Sequence, residues 1–298
     1  MKKITLSILL FFSLFLVSCK KNQTFDIVTT SYFQYDIVNN IVVDKLSVDV
    51  LTKPGVDSHD FLPTSRQMSN IKNSSLFIFT SYEMDSWLNN NEQSVIGSNT
   101  NVINLSNHLN NTTDDLHYWT DPVLILSFIN IIKDEIIKID PLNKDFYLEN
   151  ANNYYQKISN VHKDLENLLR NYDNVKLYFA GHNALKPFEE RYNIEIVALS
   201  NTSKPDADLT ISQIITLVDL IKENNVKYLF IEELKEPKVA NKIKEELAKD
   251  NYDLTLLVLH GYHNISKDDA KNNTTYYDLL LNNYQNIKMA LGDLNGNY

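Results

Sequence analysis

The chain has 298 residues, 28 basic against 38 acidic, for a net charge of −10, with seven histidines and a single cysteine. An acidic balance of this size argues against nucleic acid as a partner, and one thiol excludes an internal disulfide. Cations suit such a surface, although solvated acidic surfaces are common enough to make this a weak indication.

Lys2 and Lys3 precede the apolar run "ITLSILLFFSLFLV", which is too short for a comfortable permanent membrane anchor. Residues 1–18 therefore read as a signal peptide. The run ends in "LVSC", and the small residues before Cys19 resemble a bacterial lipoprotein signal, cut before the cysteine and lipidated on its sulfur. An ordinary secretory signal with a stray thiol, or an uncleaved anchor, is the alternative. Residues 19–24 then form a lipidated tether. Because the signal holds two lysines and no acid, the mature chain carries 26 basic and 38 acidic residues, a balance of −12.

From Phe25, short apolar runs alternate with amphipathic stretches. "FDIVTT", "LSVDVLT", "SSLFIFT" and "TNVINL" read as strands, with "SYFQYDIVNNIV" and "PTSRQMSNIKN" as helices between them. A second set comprises "VKLYFAGH", "IEIVALS", "VKYLFIEE" and "LTLLVLH", with helices over 209–224 and 236–249. This order predicts an α/β fold of two lobes with mainly parallel sheets, residues 25–139 and 172–298. Residues 122–171 contain no strand-like run. From Asp140 as N-cap and Pro141 at the first helical position, the pattern continues without proline or glycine to Asn171. A linking helix over 140–171 would be roughly 45 Å long. Two shorter helices broken near Asn152 and Asn153 are the alternative. No internal repeat aligns, and there is no Gly-rich phosphate loop.

Four segments bring histidines to the ends of elements, where open α/β sheets bind ligands. His59, in "VDSHDFLPTSR", follows a strand; His117 lies in "DDLHYWTDP"; His182 ends "VKLYFAGH"; His260 and His263 follow "LTLLVLH". Each has a plainer reading. His59 suits a solvated loop, His117 a capping segment, and one of the pair 260/263 a packed side chain. His108 and His162 read as structural or solvated, with His162 on the polar side of the linking helix. Three or four imidazoles without a cysteine favour zinc, since magnesium, calcium and manganese prefer oxygen ligands; copper and nickel fit the same donors. Four nitrogens make a closed site, and three plus water an open one.

These motifs together resemble the solute-binding component of a metal-ion ABC importer of the zinc or manganese type. "GVDSHDFLPTSRQMSNIKNSSLFIFTSYEMDSWL" is similar to the family's first-ligand stretch, "HYWTDP" to its second and "FAGHNALKPFEERYNIE" to its third. The resemblance runs from about Phe25 to Leu291. It implies His59, His117 and His182 as metal ligands; manganese-type members usually carry glutamate at the third position, so His182 is similar to the zinc type. For the fourth ligand it favours His263, with His260 or water as substitutes. Glu232 and Glu233 are implied as supporting or interlobe contacts. The loop before the second ligand, "SNHLNNTTDDLH", is short compared with the His-rich loop of many zinc-type relatives.

The resemblance implies capture of Zn²⁺, with Mn²⁺ the less favoured cargo, and delivery to an inner-membrane ABC permease. It implies a monomer that is extracytoplasmic, lipid-anchored at the periplasm or cell surface, and not an enzyme. Two other classes compete: a zinc hydrolase using Glu232 or Glu233 as general base, for which no His-Glu-x-x-His run is present, and a structural or adhesive lipoprotein stabilised by metal.

Overall fold

The computed structural model describes residues 24–56, 61–109, 113, 115–181, 184–198, 210–234 and 236–292. The expected signal peptide, Cys19, His59 and His182 lie outside the described residues.

In the N-terminal lobe the chain runs β1 (Ile27–Thr29), α1 (Tyr32–Val42), β2 (Val48–Val50), α2 (Ser65–Lys72), β3 (Leu76–Phe79), the short α3 (Glu92–Val95) and β4 (Asn101–Asn104). Two helices follow, α4 (Pro122–Ile139) and α5 (Lys144–Leu169). The C-terminal lobe contains β5 (Lys176–Ala180), α6 (Lys186–Tyr192), β6 (Glu195–Ala198), α7 (Ile211–Glu223), β7 (Tyr228–Ile231), α8 (Lys238–Ala248), β8 (Thr255–Val258), α9 (Lys267–Lys271) and α10 (Tyr276–Gly292). No helix among the described residues is long and apolar enough to cross a membrane.

All strand pairs among the described residues are parallel. The sheets have orders β2-β1-β3-β4 and β6-β5-β7-β8, so each lobe repeats the same second-first-third-fourth arrangement. The sequence shows no alignable repeat, but the topology does.

A parallel strand covered on both faces needs apolar residues on both, which is why these strands read as continuous runs. In β3, Leu76 and Ile78 face the central core, whereas Phe77 and Phe79 join an outer cluster with Val28, Leu51 and Ile71 beneath α2. β7 divides likewise, with Phe230 inward and Leu229 packed under α7 and α8. Burying each such side chain contributes on the order of 2 kcal/mol.

The central cluster is shared between lobes. It runs without a break from Phe33 and Trp119, through Tyr147, Tyr154 and Ile158 of α5, to Phe188, Tyr262 and Leu280. Such an interface resists wide opening, because swinging the lobes apart would expose apolar surface.

The long linking helix is present and continuous through Asn152 and Asn153, at 26 residues. Its start differs from the expected Asp140 cap. Pro141–Asn143 form a 3₁₀ turn first, because the Asp140 carboxylate accepts from Asn143 Nδ2 at 2.7 Å and Tyr147 Oη at 2.6 Å, which draws it away from capping. His162 is also placed differently. It is buried rather than on a polar face, with Nδ1 2.9 Å from the Tyr192 hydroxyl. α10, which lies beyond the elements expected from the sequence, packs against α5.

Candidate metal site

The segment "HYWTDP" is assembled from residues that each use a different bond. Asp121 caps α4 by accepting from Val123 N at 2.9 Å, with Pro122 as the first helical residue, where no N–H is needed. The same carboxylate accepts two hydrogen bonds from the Arg191 guanidinium of α6, at 2.9 and 2.7 Å, which joins the lobes. Tyr118 donates its hydroxyl to Thr80 O at the end of β3, at 2.7 Å. Trp119 stacks on Phe33 at 5.3 Å between ring centroids and donates from Nε1 to Gly261 O at 3.0 Å.

His117 immediately precedes a 3₁₀ turn, Tyr118–Thr120. Its backbone N–H donates to Asp115 Oδ1 at 2.7 Å, and its Nδ1 lies 3.2 Å from the same oxygen. A carboxylate beside Nδ1 favours the tautomer with the proton there and the lone pair on Nε2, the form a metal requires. Burial acts to raise the Asp115 pKa, but the bonds from His117 outweigh it and hold it below the usual range.

The second part of the site is the loop after β8. Asn283 of α10 grips His260 by its backbone, accepting from its N–H at 2.8 Å and donating to its carbonyl at 2.9 Å. Tyr262 then turns the chain with φ of 60°, a left-handed conformation strained for an aromatic residue. It is held by a 2.6 Å bond from Asn283 Nδ2 to its hydroxyl and by its ring packing on Tyr276 at 4.6 Å. The turn brings His263 to the opposite lobe. Its ring centroid lies 5.1 Å from that of His117 and 5.4 Å from that of Trp119.

Glu233, just after β7 and with its side chain 8% exposed, lies between the two loop histidines. Its Oε2 accepts from Gly261 N at 3.0 Å, and its Oε1 is 3.6 Å from His260 Nδ1 and 3.5 Å from His263 Nδ1. Burial alone would raise its pKa; the facing imidazoles and the Gly261 N–H more than reverse this and bring it down to about 2. Leu234, which follows, has φ of 67°. Gly261 is needed for closeness, since a Cβ there would lie 2.9 Å from His263 Nδ1 and 3.4 Å from Glu233 Oε1.

The two loop histidines are not equivalent. His260 Nδ1 accepts the Tyr262 N–H at 2.8 Å, so in the neutral ring the proton resides on Nε2. That Nε2 is buried with no hydrogen-bond partner among the described residues. An orphaned nitrogen is what a ligand shows, but this one carries the proton, and coordination would put a second proton against the Tyr262 N–H. Burial also lowers the His260 pKa, which favours the neutral ring.

Among the described residues no three His, Cys, Asp or Glu side chains are spaced to hold a metal ion. The structure brings His117 and His263 together and leaves His162 and His108 elsewhere in the fold. Glu232 is at the site's edge, with its Cβ 2.9 Å from where a Cβ on Gly181 would be, next to the position of His182 in the chain. Sequence reasoning missed Asn283 and Gly261. An asparagine in a chain rich in asparagine carries no signal, and the need for a missing Cβ exists only once His263 is in place.

Residues 27–290 match the family described as zinc-uptake complex component A, periplasmic, abbreviated ZnuA. The chain belongs to the ZnuA family. It is 27% identical over 290 residues to the high-affinity zinc uptake system protein ZnuA of Bacillus subtilis strain 168, covering 91% of this chain and 89% of that one. It is 24% identical to the zinc-binding lipoprotein AdcA of Streptococcus pneumoniae strain R6, covering 97% of this chain but only 61% of AdcA. Among solved structures, the metal-dependent lipoprotein YcdH of Bacillus subtilis aligns with a TM-score of 0.77 at 27% identity, covering 89% of this chain and 98% of that one. The ZnuA-like domain of Streptococcus pneumoniae AdcA aligns with a TM-score of 0.76 at 21% identity, covering 90% and 99%, and shares the fold. The ZnuA family fold is thus the two-lobed α/β arrangement with a long linking helix described above.

Proposed function

We propose that this protein is a zinc-binding receptor that captures Zn²⁺ between its lobes outside the cytoplasmic membrane and delivers it to an ABC importer permease. Support comes from membership of the ZnuA family and from relatives named as zinc uptake and zinc-binding proteins. The observation that carries the reading is the approach of His117 and His263 from opposite lobes, with a carboxylate, Asp115 or Glu233, beside Nδ1 of each ring. That arrangement suits neutral imidazoles offering Nε2 to a cation.

In this proposal His59 and His182 supply the two further ligands, His263 is the fourth, and His260 supports the loop. Four imidazoles would make a closed site, which suits holding and releasing an ion. Glu233 steadies His263, and Glu232 borders the His182 side. The receptor is lipid-anchored through Cys19 and acts as a monomer. Because the central core is shared by both lobes, loading would be read by the permease as local rearrangement around the loops rather than wide closure.

The test is competitive titration of the chain from Lys20 onward with Zn²⁺ and Mn²⁺ against a chelator of known strength. One zinc should bind with strong preference over manganese. His117→Ala, His182→Ala and His263→Ala should each weaken binding by about a hundredfold or more, and His260→Ala by less than about tenfold. Preference for manganese, or full affinity in His182→Ala, would sink the zinc assignment. Full affinity in His263→Ala with loss in His260→Ala would exchange the fourth ligand.

A further inference from the structure

Asn264 follows His263 directly and is 1% exposed. Its side-chain amide crosses between lobes. Nδ2 donates to Lys53 O and to Val56 O, both at 2.8 Å, and Oδ1 accepts from Ile265 N at 2.8 Å. A third interlobe bond runs beside these, from Gly55 N to Ile265 O at 2.8 Å. Gly55 adopts φ of 81°, which a glycine accepts without strain. On the N-terminal side the stretch is tied to its own lobe, since Lys53 Nζ donates to Asp49 Oδ1 and Val50 O, each at 2.7 Å.

Only an amide of this length satisfies the pattern. Two N–H groups face two carbonyl oxygens, and one carbonyl oxygen faces an N–H. A carboxylate of the same shape would bring negative charge against two carbonyls with nothing to donate. His263 is therefore held between two interlobe fastenings: on one side the Trp119 Nε1 bond to Gly261 O, on the other the Asn264 clasp on Lys53 and Val56.

We propose that Asn264 is a positioning residue that clasps the loop carrying His263 onto the N-terminal lobe in the metal-free protein, so that His263 faces His117 before zinc arrives. This rests on the reading of His263 as a ligand. Ordering the loop in advance removes a conformational cost from the binding step and slows release of the bound ion.

The experiment compares Asn264→Ala and Asn264→Asp with the parent chain from Lys20 onward, each first checked by circular dichroism and thermal unfolding to be folded. In the metal-free proteins, amide hydrogen exchange at Gly55 should be faster in both variants. Zinc competition against a chelator should show affinity weaker by roughly tenfold or more, the scale expected for losing two buried hydrogen bonds. In a His263→Ala background, Asn264→Ala should weaken zinc binding no further. Three results overturn the proposal: unchanged Gly55 exchange, zinc affinity equal to the parent, or the same fold-loss with and without His263. If His263→Ala itself binds zinc as the parent does, the ligand assignment falls and the positioning role with it. Unchanged affinity in the Asn264 variants beside a large loss in His263→Ala would remove the clasp alone and leave the ligand standing.

Discussion

The Trp119 indole, from the N-terminal lobe, donates its Nε1 hydrogen to the carbonyl of Gly261, midway in the C-terminal loop that carries His260 and His263, at 3.0 Å. Tyr276 Oη in turn donates to Trp119 O at 3.2 Å. One aromatic residue of the second motif thus sets where the loop of the other lobe lies. Trp119→Phe keeps the stacking on Phe33 and removes the donor. We expect a loss of about 1–2 kcal/mol in urea unfolding, from the stranded buried carbonyl, together with weaker zinc binding. Unchanged values in both measurements would show that the bond is dispensable.

Gly261→Ala places a methyl group 2.9 Å from His263 Nδ1 and 3.0 Å from its Cε1. The ring must move, whereas the backbone conformation stays open to alanine. Zinc affinity should fall by about tenfold or more, with a stability loss of no more than about 1–2 kcal/mol. A variant that unfolds less readily than expected yet binds zinc normally would argue against His263 as a ligand.

Asp121 has two structural tasks, the α4 cap and the pair with Arg191. Asp121→Ala removes the α4 cap and leaves Arg191, itself one-third exposed, without its bidentate partner. The expected cost is about 2–3 kcal/mol, of which the cap supplies about 1. Zinc should still bind one-to-one. Asp121→Asn, which keeps an acceptor for Val123 N, should recover part of the stability; equal losses in the two variants would mean that the cap contributes little.

Asp36 supplies a pH dependence. Burial among α1, α5 and α10 pushes its carboxyl up to about 7, although Tyr154, the Tyr276 N–H and Asn40 pull the other way by hydrogen bonding. A carboxyl whose pKa is higher folded than unfolded binds more protons in the native state, so its contribution is fully present below the unfolded value. That contribution is lost as pH rises from about 4 through about 7. Urea unfolding of the metal-free protein across this range should show stability declining through this contribution, and Asp36→Asn should flatten the slope. An identical slope in the variant would assign the pH dependence to other groups.

Much of the candidate site was legible because residue types and their spacing are local features of the sequence. "HYWTDP" can be read as a histidine, an aromatic anchor and a helix start, and the structure uses all of these. Between His260 and His263 the resemblance favours His263 by register alone, and local sequence adds nothing, since both follow β8 within five residues of its end at Val258. What separates them is a hydrogen bond from Tyr262 N to His260 Nδ1, and this depends on a left-handed turn that no residue type signals. The burial of His162 was missed for a related reason. The polar residues around it on α5 conceal that its face of the helix meets Tyr192.

The sequence by itself determined the eight strands, most of the helices between them, their parallel α/β order and the long linking helix, because each depends on local periodicity and residue type. Only the tertiary structure decided which histidines meet, which carboxylate stands behind each, and that Gly261, Asn264 and Asn283 hold the loop. Those relations join residues as much as 211 positions apart in the chain. They depend on packing distances and hydrogen-bond directions that come into existence only when the two lobes close on a common core.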